Sequence, residues 1–233
     1  MINPLVSIIV PCFNEEKTIQ KIVEKIINFK TYKTEIIIVD DFSSDKSRDI
    51  IIELEMNNKN IVRLFHGSNL GKGAALKSGI NIAKGDLILF QDADLEYDPK
   101  DYDVLLKPFL ITDADVVYGS RFIGGEYVRL HFFWHYLANK LLTLATNIVT
   151  NLNMTDMETG YKVFKKDVIK SINLKEKSFG IEPEISVKLA KKKFIFYEVP
   201  ISYRGRSYEE GKKITLKDAF VAIYCIIKYR FID

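Results

Sequence analysis

Cysteine is scarce in these 233 residues: Cys12 and Cys225 stand far apart and without companions. Two such residues build neither a disulfide framework nor a CxxC metal site, so a reducing, cytoplasmic setting is the expectation. Long apolar runs are missing too. The longest uncharged stretch, Leu141 to Thr155, has 15 residues and is broken by Asn147, Asn151 and Asn153. That is too short and too polar to span a bilayer. The N-terminal MINPLVSIIVPCFNEE lacks a basic region, which argues against a secretory signal. The three histidines lack metal-ligand spacing, and no Ser-His-Asp, HExxH or GxGxxG pattern occurs. Basic residues are not interleaved with stacking aromatics, so nucleic acid is not an expected partner. No repeat, low-complexity segment or Pro/Gly-rich linker divides the chain, which reads as one folded unit over residues 1–233.

What is present is a core and a pattern. Hydrophobic residues make up 47% of the chain, enough for a sizeable interior. The net charge of +3 conceals an asymmetry: residues 1–120 hold 14 Lys and Arg against 19 Asp and Glu, residues 121–233 hold 20 against 12. An acidic first half suits a metal, and a basic second half suits phosphates or an anionic membrane. Strands are expected at Leu5–Val10, Glu35–Val39, Ile61–Phe65, Leu87–Phe90 and Val116–Tyr118. Helices are expected at Glu15–Phe29, Asp45–Glu55 and Gly71–Ala83, with another after Pro99. Unbroken Ile/Val/Leu strands alternating with helices predict an α/β fold whose parallel sheet is covered on both faces. Ligands of such sheets bind at the carboxyl ends of the strands. Beyond residue 122 the alternation weakens into apolar helices over Leu130–Asn153, a helix from Ile181 to Lys192, strands at Phe194–Val199 and Ile201–Arg204, and a C-terminal helix from Leu216 to Tyr229.

The chemistry-bearing residues follow the strands. Asp92-Ala93-Asp94 leaves the run Leu87–Phe90, and two such carboxylates repel unless a cation lies between them. Mg²⁺ or Mn²⁺ takes one or two carboxylates and completes its shell with water and phosphate oxygens, so Asp92 and Asp94 are the expected metal ligands, with Glu96 a third oxygen. The plain alternative is a solvated loop that caps the next helix. After the second strand, Asp40 or Asp41 can meet a nucleoside while Ser44 or Asp45 caps a helix. Asn14-Glu15-Glu16 reads as a helix cap with an acidic first turn. Gly71-Lys72-Gly73 lacks the Ser or Thr that ends a P-loop; it reads as a helix start close to a ligand, with Lys72 near phosphate. The segment from Tyr203 to Lys213 sets Arg204, Arg206, Lys212 and Lys213 around two glycines, a pattern that suits closure over phosphates.

Taken together and in this order, these residues resemble glycosyltransferase family 2, in its dolichyl-phosphate mannose synthase-like branch. The resemblance runs through Pro11-Cys12-Phe13-Asn14-Glu15, Val39-Asp40-Asp41, Gly71-Lys72-Gly73, Asp92-Ala93-Asp94, Gly119-Ser120-Arg121, DMETGYKVF, FGIEPEI and Arg206 to Lys212. It implies the GT-A fold, with residues 1–120 as the nucleotide-sugar half and 121–233 as the acceptor half. It implies inversion at the anomeric carbon and a GDP- or UDP-linked sugar donor cradled by Pro11, Phe13, Glu15, Val39 and Asp41. Asp92, Ala93 and Asp94 would hold metal and diphosphate. Arg121, Arg129, Arg206 and Lys212 would meet the acceptor, and Arg121, Arg206 and Lys212 would join the two aspartates in catalysis. Three residues depart from the family: Phe42 replaces a glycine, Phe13 a tyrosine, and Glu96 a glutamine or serine. A polyprenyl phosphate acceptor needs no protein base. A sugar hydroxyl needs one, and Asp156 or Glu158 is then the candidate. The cations favour the lipid phosphate, with the apolar helices resting on the cytoplasmic membrane face. The alternatives are a family 2 enzyme acting on a glycan hydroxyl, and a catalytically silent sugar-nucleotide-binding subunit.

Overall fold

The apolar runs pair into one seven-stranded sheet of strand order β3-β2-β1-β4-β6-β5-β7, seen in a computed structural model. The structure describes residues 4–124, 132–205 and 216–232, with residues 216–218 by backbone alone. The strands are β1 (Leu5–Cys12), β2 (Lys33–Asp40), β3 (Ile61–Phe65), β4 (Leu87–Phe90), β5 (Val116–Ser120), β6 (Lys162–Lys165) and β7 (Phe196–Pro200). The helices run α1 (Ile19–Asn28), α2 (Ser47–Asn57), α3 (Lys72–Ile82), α4 (Tyr102–Leu106) and α5 (Pro108–Ile111) in the first half. The second half adds α6 (Phe133–Thr150), α7 (Lys166–Lys170), α8 (Ile181–Lys191) and α9 (Leu216–Phe231).

Alternation along the central strands splits the core in two. Ile8, Val10, Ile36 and Ile38 face α1, α2 and α4, whereas Ile9, Ile37 and Val39 face α3, α6, α8 and α9. All the pairings are parallel except those of β6, which runs antiparallel between β4 and β5. This antiparallel strand, from DMETGYKVF, was not expected.

Three other expectations are corrected. Asn14-Glu15-Glu16 does not cap α1, which starts at Ile19 after Thr18. Asn14 has φ 54°, and its loop is bonded instead to the turn before α2: the amides of Asn14, Glu15 and Glu16 donate to Ser43 Oγ, Ser47 Oγ and Asp45 Oδ2. Ile201–Arg204 forms no continuous strand: Ile201 N still donates to the Ser120 carbonyl of β5, but the chain then leaves β5, and Tyr203 makes only an isolated antiparallel bridge with Tyr97. Ser202 N donates to Asp101 Oδ2 and Arg204 N to the Glu96 carbonyl. Of the apolar segment Leu130–Asn153, residues 130 and 131 lie outside the described residues, and the rest holds one helix, α6, closed by Asn151 in the left-handed region at φ 57°.

Candidate active site

The carboxyl ends of β1, β4 and β5 open on a cavity of about 300 Å³. Pro11, Phe13, Glu15 and Asp41 line it from one side, and Asp92, Ala93, Asp94 and Glu96 form its floor. Arg121, Glu158, Glu182 and Tyr203 close it from the second half of the chain. Val39 is the exception among the expected donor residues: it is fully buried on the α3 side of the sheet and does not reach the cavity. Arg129, Arg206 and Lys212 lie outside the described residues.

A buried polar knot sets the floor. Gln91 Oε1 accepts from the hydroxyls of Tyr102 and Tyr161, both at 2.7 Å, and Gln91 Nε2 donates to the Asp92 carbonyl. The chain then turns sharply, with Leu95 at φ 64° and Asp94 Oδ1 accepting from Glu96 N. Glu96 Oε2 accepts from the Tyr203 hydroxyl at 2.6 Å, which ties the floor to the segment after β7. Gly160 packs so closely that a Cβ there would lie 2.5 Å from Asp92 Oδ2, so only glycine leaves that carboxylate its place.

Asp40 and Asp41 divide the work that the sequence left open between them. Asp40 is fully buried, 3.0 Å from Arg48 Nε, and accepts from Ser43 N. Asp41 lines the cavity and holds its wall: it accepts from Leu70 N at 2.9 Å and Gly71 N at 2.7 Å, and pairs with His66 Nδ1 at 2.7 Å. A carboxylate has about four acceptor positions, which leaves Asp41 one for a ligand. Phe42 adopts φ 67°, a conformation that favours glycine, and its half-exposed ring lies beside the Arg48 guanidinium without lining the cavity.

Lys72 crosses the floor. Its ammonium is 2.9 Å from Asp92 Oδ1 and 3.1 Å from Glu182 Oε1. Burial opposes its charge, but the two carboxylates outweigh burial and hold its pKa well above the ordinary lysine value. Gly71 and Gly73 permit this approach. Gly71 has φ 96°, and a Cβ on either glycine would strike the backbone carbonyl of Lys177 or Glu176.

The two carboxyls expected as bases have opposite fates. Asp156 is fully buried and grips Arg121, whose Nε and Nη2 donate to it at 2.7 Å, with Arg121 N at 3.1 Å. Burial would raise its pKa, but the guanidinium overcomes that and lowers it. Asp156 is therefore no base, and Arg121 has two of its donor directions committed. Glu158 is partly covered, its Oε1 buried without a partner among the described residues. Burial first, then the Glu182 carboxylate, pushes it from 4.5 up to about 8. Glu182 was missed in the sequence, because a glutamate in a first helical turn ordinarily answers only the helix dipole.

The residues fit a hard divalent cation. Asp92 and Asp94 offer carboxylate oxygens on one turn, and Oε2 of Glu182 is a buried oxygen without a partner among the described residues. Among the described residues no three His, Cys, Asp or Glu side chains form a ready-made cage. Mg²⁺ commonly binds through one or two carboxylates and draws its remaining ligands from phosphate and water.

The family model described as Glycosyl transferase family 2 matches residues 7–172. Dolichyl-phosphate beta-glucosyltransferase ALG5D of Trichomonas vaginalis is 28% identical over 229 residues, covering 91% of this chain and 68% of that protein. An uncharacterised protein of Methanocaldococcus jannaschii, MJ0544, is 28% identical over 235 residues, covering 97% and 99%. Among solved structures, glucosyl-3-phosphoglycerate synthase from Mycobacterium tuberculosis with Mn²⁺, UDP and glucosyl-3-phosphoglycerate superposes with a TM-score of 0.76 at 17% identity, covering 100% of this chain and 82% of that one. The same enzyme with Mg²⁺ and UDP gives a TM-score of 0.75. The fold of this chain is GT-A.

Proposed function

Because the chain belongs to glycosyl transferase family 2, we propose that it is an inverting enzyme that moves a sugar from a GDP- or UDP-linked donor to a polyprenyl phosphate on the cytoplasmic membrane face. The family and the fold support sugar transfer from a nucleotide. The observation that carries the choice of acceptor is the commitment of Asp156, the buried candidate base, to the Arg121 guanidinium. Glu158, the other candidate, has its neutral form favoured by burial and by the neighbouring Glu182 carboxylate. A phosphate acceptor is already an anion and needs neither.

Pro11, Phe13, Glu15 and Asp41 cradle the nucleoside in this reading, and Asp92, Ala93 and Asp94 face its diphosphate. Asp92 and Asp94, with Glu96, hold Mg²⁺ or Mn²⁺, which when bound neutralises the charge that develops on the leaving diphosphate. Arg121 presents its remaining donors at the cavity edge, and Arg129, Arg206 and Lys212 supply the other acceptor contacts. The named activity of the Trichomonas vaginalis relative is in keeping with such an acceptor. Among the described residues no helix is long and apolar enough to cross a membrane, so contact with lipid is peripheral in this reading.

Purified protein, a panel of sugar nucleotides, Mn²⁺ and either polyprenyl phosphate or soluble glycans test it. Transfer to the lipid is expected, and it should survive Glu158→Gln. Asp94→Asn should keep the fold and lose most metal-dependent donor affinity by calorimetry. Transfer to glycans alone, abolished by Glu158→Gln, would establish a base-assisted hydroxyl acceptor instead.

A further inference from the structure

Lys72 sits where a cation on Asp92 belongs. Its Nζ lies within 3.2 Å of both oxygens of Asp92, at 2.9 Å from Oδ1 and 3.2 Å from Oδ2. An ammonium and a divalent ion on the same carboxylate would lie only a few ångströms apart, where like charges repel strongly. The lysine backbone cannot withdraw. Lys72 is the first residue of α3, Gly71 N donates to Asp41, and Ala74 N donates to the Lys177 carbonyl. The segment behind it is equally fixed, because Glu184 accepts from the amides of Lys175 and Glu176 at 2.8 and 2.7 Å. Only the side chain can move, pivoting about an anchored Cα. A second station is already built for it. Glu182 Oε1 is 3.1 Å from the ammonium, and its Oε2 is buried with no partner among the described residues.

We infer that Lys72 is a resident counter-cation of Asp92 which a divalent metal must displace, and that Glu182 is the positioning residue that receives it. The inference rests on the metal placement proposed above. It makes metal binding and donor binding cooperative. Metal alone competes with a tethered ammonium for Asp92, whereas an arriving diphosphate offers Lys72 another anion and frees the carboxylate. The two substitutions that disturb this arrangement act in opposite directions. Lys72→Met removes the competitor and leaves Asp92 and Glu182 uncompensated, so Mn²⁺ alone binds more tightly. Glu182→Gln removes the second station, so Lys72 clings to Asp92 and Mn²⁺ alone binds more weakly.

The test is calorimetry of Mn²⁺ binding to the full chain, with and without UDP, for the wild type, both variants and Asp92→Asn, with circular dichroism to check that each is folded. Lys72→Met is expected to tighten Mn²⁺ binding in the absence of UDP by about tenfold or more. UDP should tighten Mn²⁺ binding in the wild type and do so much less in Lys72→Met. Should Lys72→Met prove unfolded, the weakening by Glu182→Gln carries the test. Wild-type or weaker Mn²⁺ affinity in folded Lys72→Met, or unchanged affinity in Glu182→Gln, would overturn the inference while the wild type still bound Mn²⁺ with UDP. Mn²⁺ affinity that Asp92→Asn leaves untouched would overturn the metal placement as well.

Discussion

Glu158 and Asp156 stand two positions apart and carry the same charge in sequence, yet the fold pushes the pKa of one up and of the other down. The difference lies in which of them meets Arg121. In the unfolded chain Glu158 ionises near 4.5, and in the folded protein only near 8. Between those values the folded state keeps a proton that the unfolded state releases, so this residue makes stability fall as pH rises through that window. Glu158→Gln mimics the neutral form and abolishes the fall. Urea unfolding should find it stabilising relative to the wild type by about 1–3 kcal/mol more at pH 9 than at pH 5. An identical pH dependence in both proteins would show that Glu158 is ionised at neutral pH. Asp156→Asn works through a different mechanism: it leaves the Arg121 guanidinium buried without its counter-charge. A loss of about 3 kcal/mol in unfolding free energy is expected at pH 7, so reduced turnover in that variant would say nothing about a base. A variant as stable as the wild type would mean that Arg121 finds another partner. None of this was legible in DMETG, because it depends on a contact made across 35 positions of sequence.

At the scale of elements, the sequence was read most faithfully where an apolar run is unbroken. Ile61–Phe65 and Leu87–Phe90 are strands at the expected limits, because every residue between them must satisfy its backbone in a sheet. β6 escaped because it reads Lys-Val-Phe-Lys. Its Lys162 is fully enclosed, its ammonium donating to the carbonyls of Met157 and Thr159, and no pattern of side chains announces a lysine satisfied by backbone oxygens. α6 and α9 pack on each other and leave an apolar outer surface that includes Phe133, Ile148, Phe220 and Phe231. Trp134, the single tryptophan of the chain, lies on α6 and is 74% exposed. α6 has no acidic residue, and Lys228 and Arg230 stand in the last turn of α9. Such a surface suits the interface of an anionic bilayer, where each buried large side chain contributes about 1.5–3 kcal/mol. Tryptophan emission should therefore shift to the blue on addition of anionic vesicles, and Phe133→Ser should weaken that binding in a flotation assay. Emission unchanged by vesicles of any composition would remove the membrane from this account.

At the scale of the molecule, the site draws on both halves of the chain. The floor residues Asp92 and Asp94 were legible because paired carboxylates after an apolar strand have few structural uses. Their opposite wall was less so. Gly160 reaches Asp92, and Glu182 reaches Lys72, only because β6 doubles back between β4 and β5. The partner that β4 requires on that side is made some 75 residues later, as Leu87 pairs with Lys165 and Leu89 with Val163. Closing so large a loop has an entropic cost that must be met before any contact rewards it. During synthesis the first half therefore waits with the free edge of β4 uncovered, a template on which another unfinished chain can pair. The strand that follows Glu158 and Gly160 in the cavity wall is thus also the one that seals the nascent chain against aggregation, and a stall in elongation before Lys162 would threaten solubility as much as function.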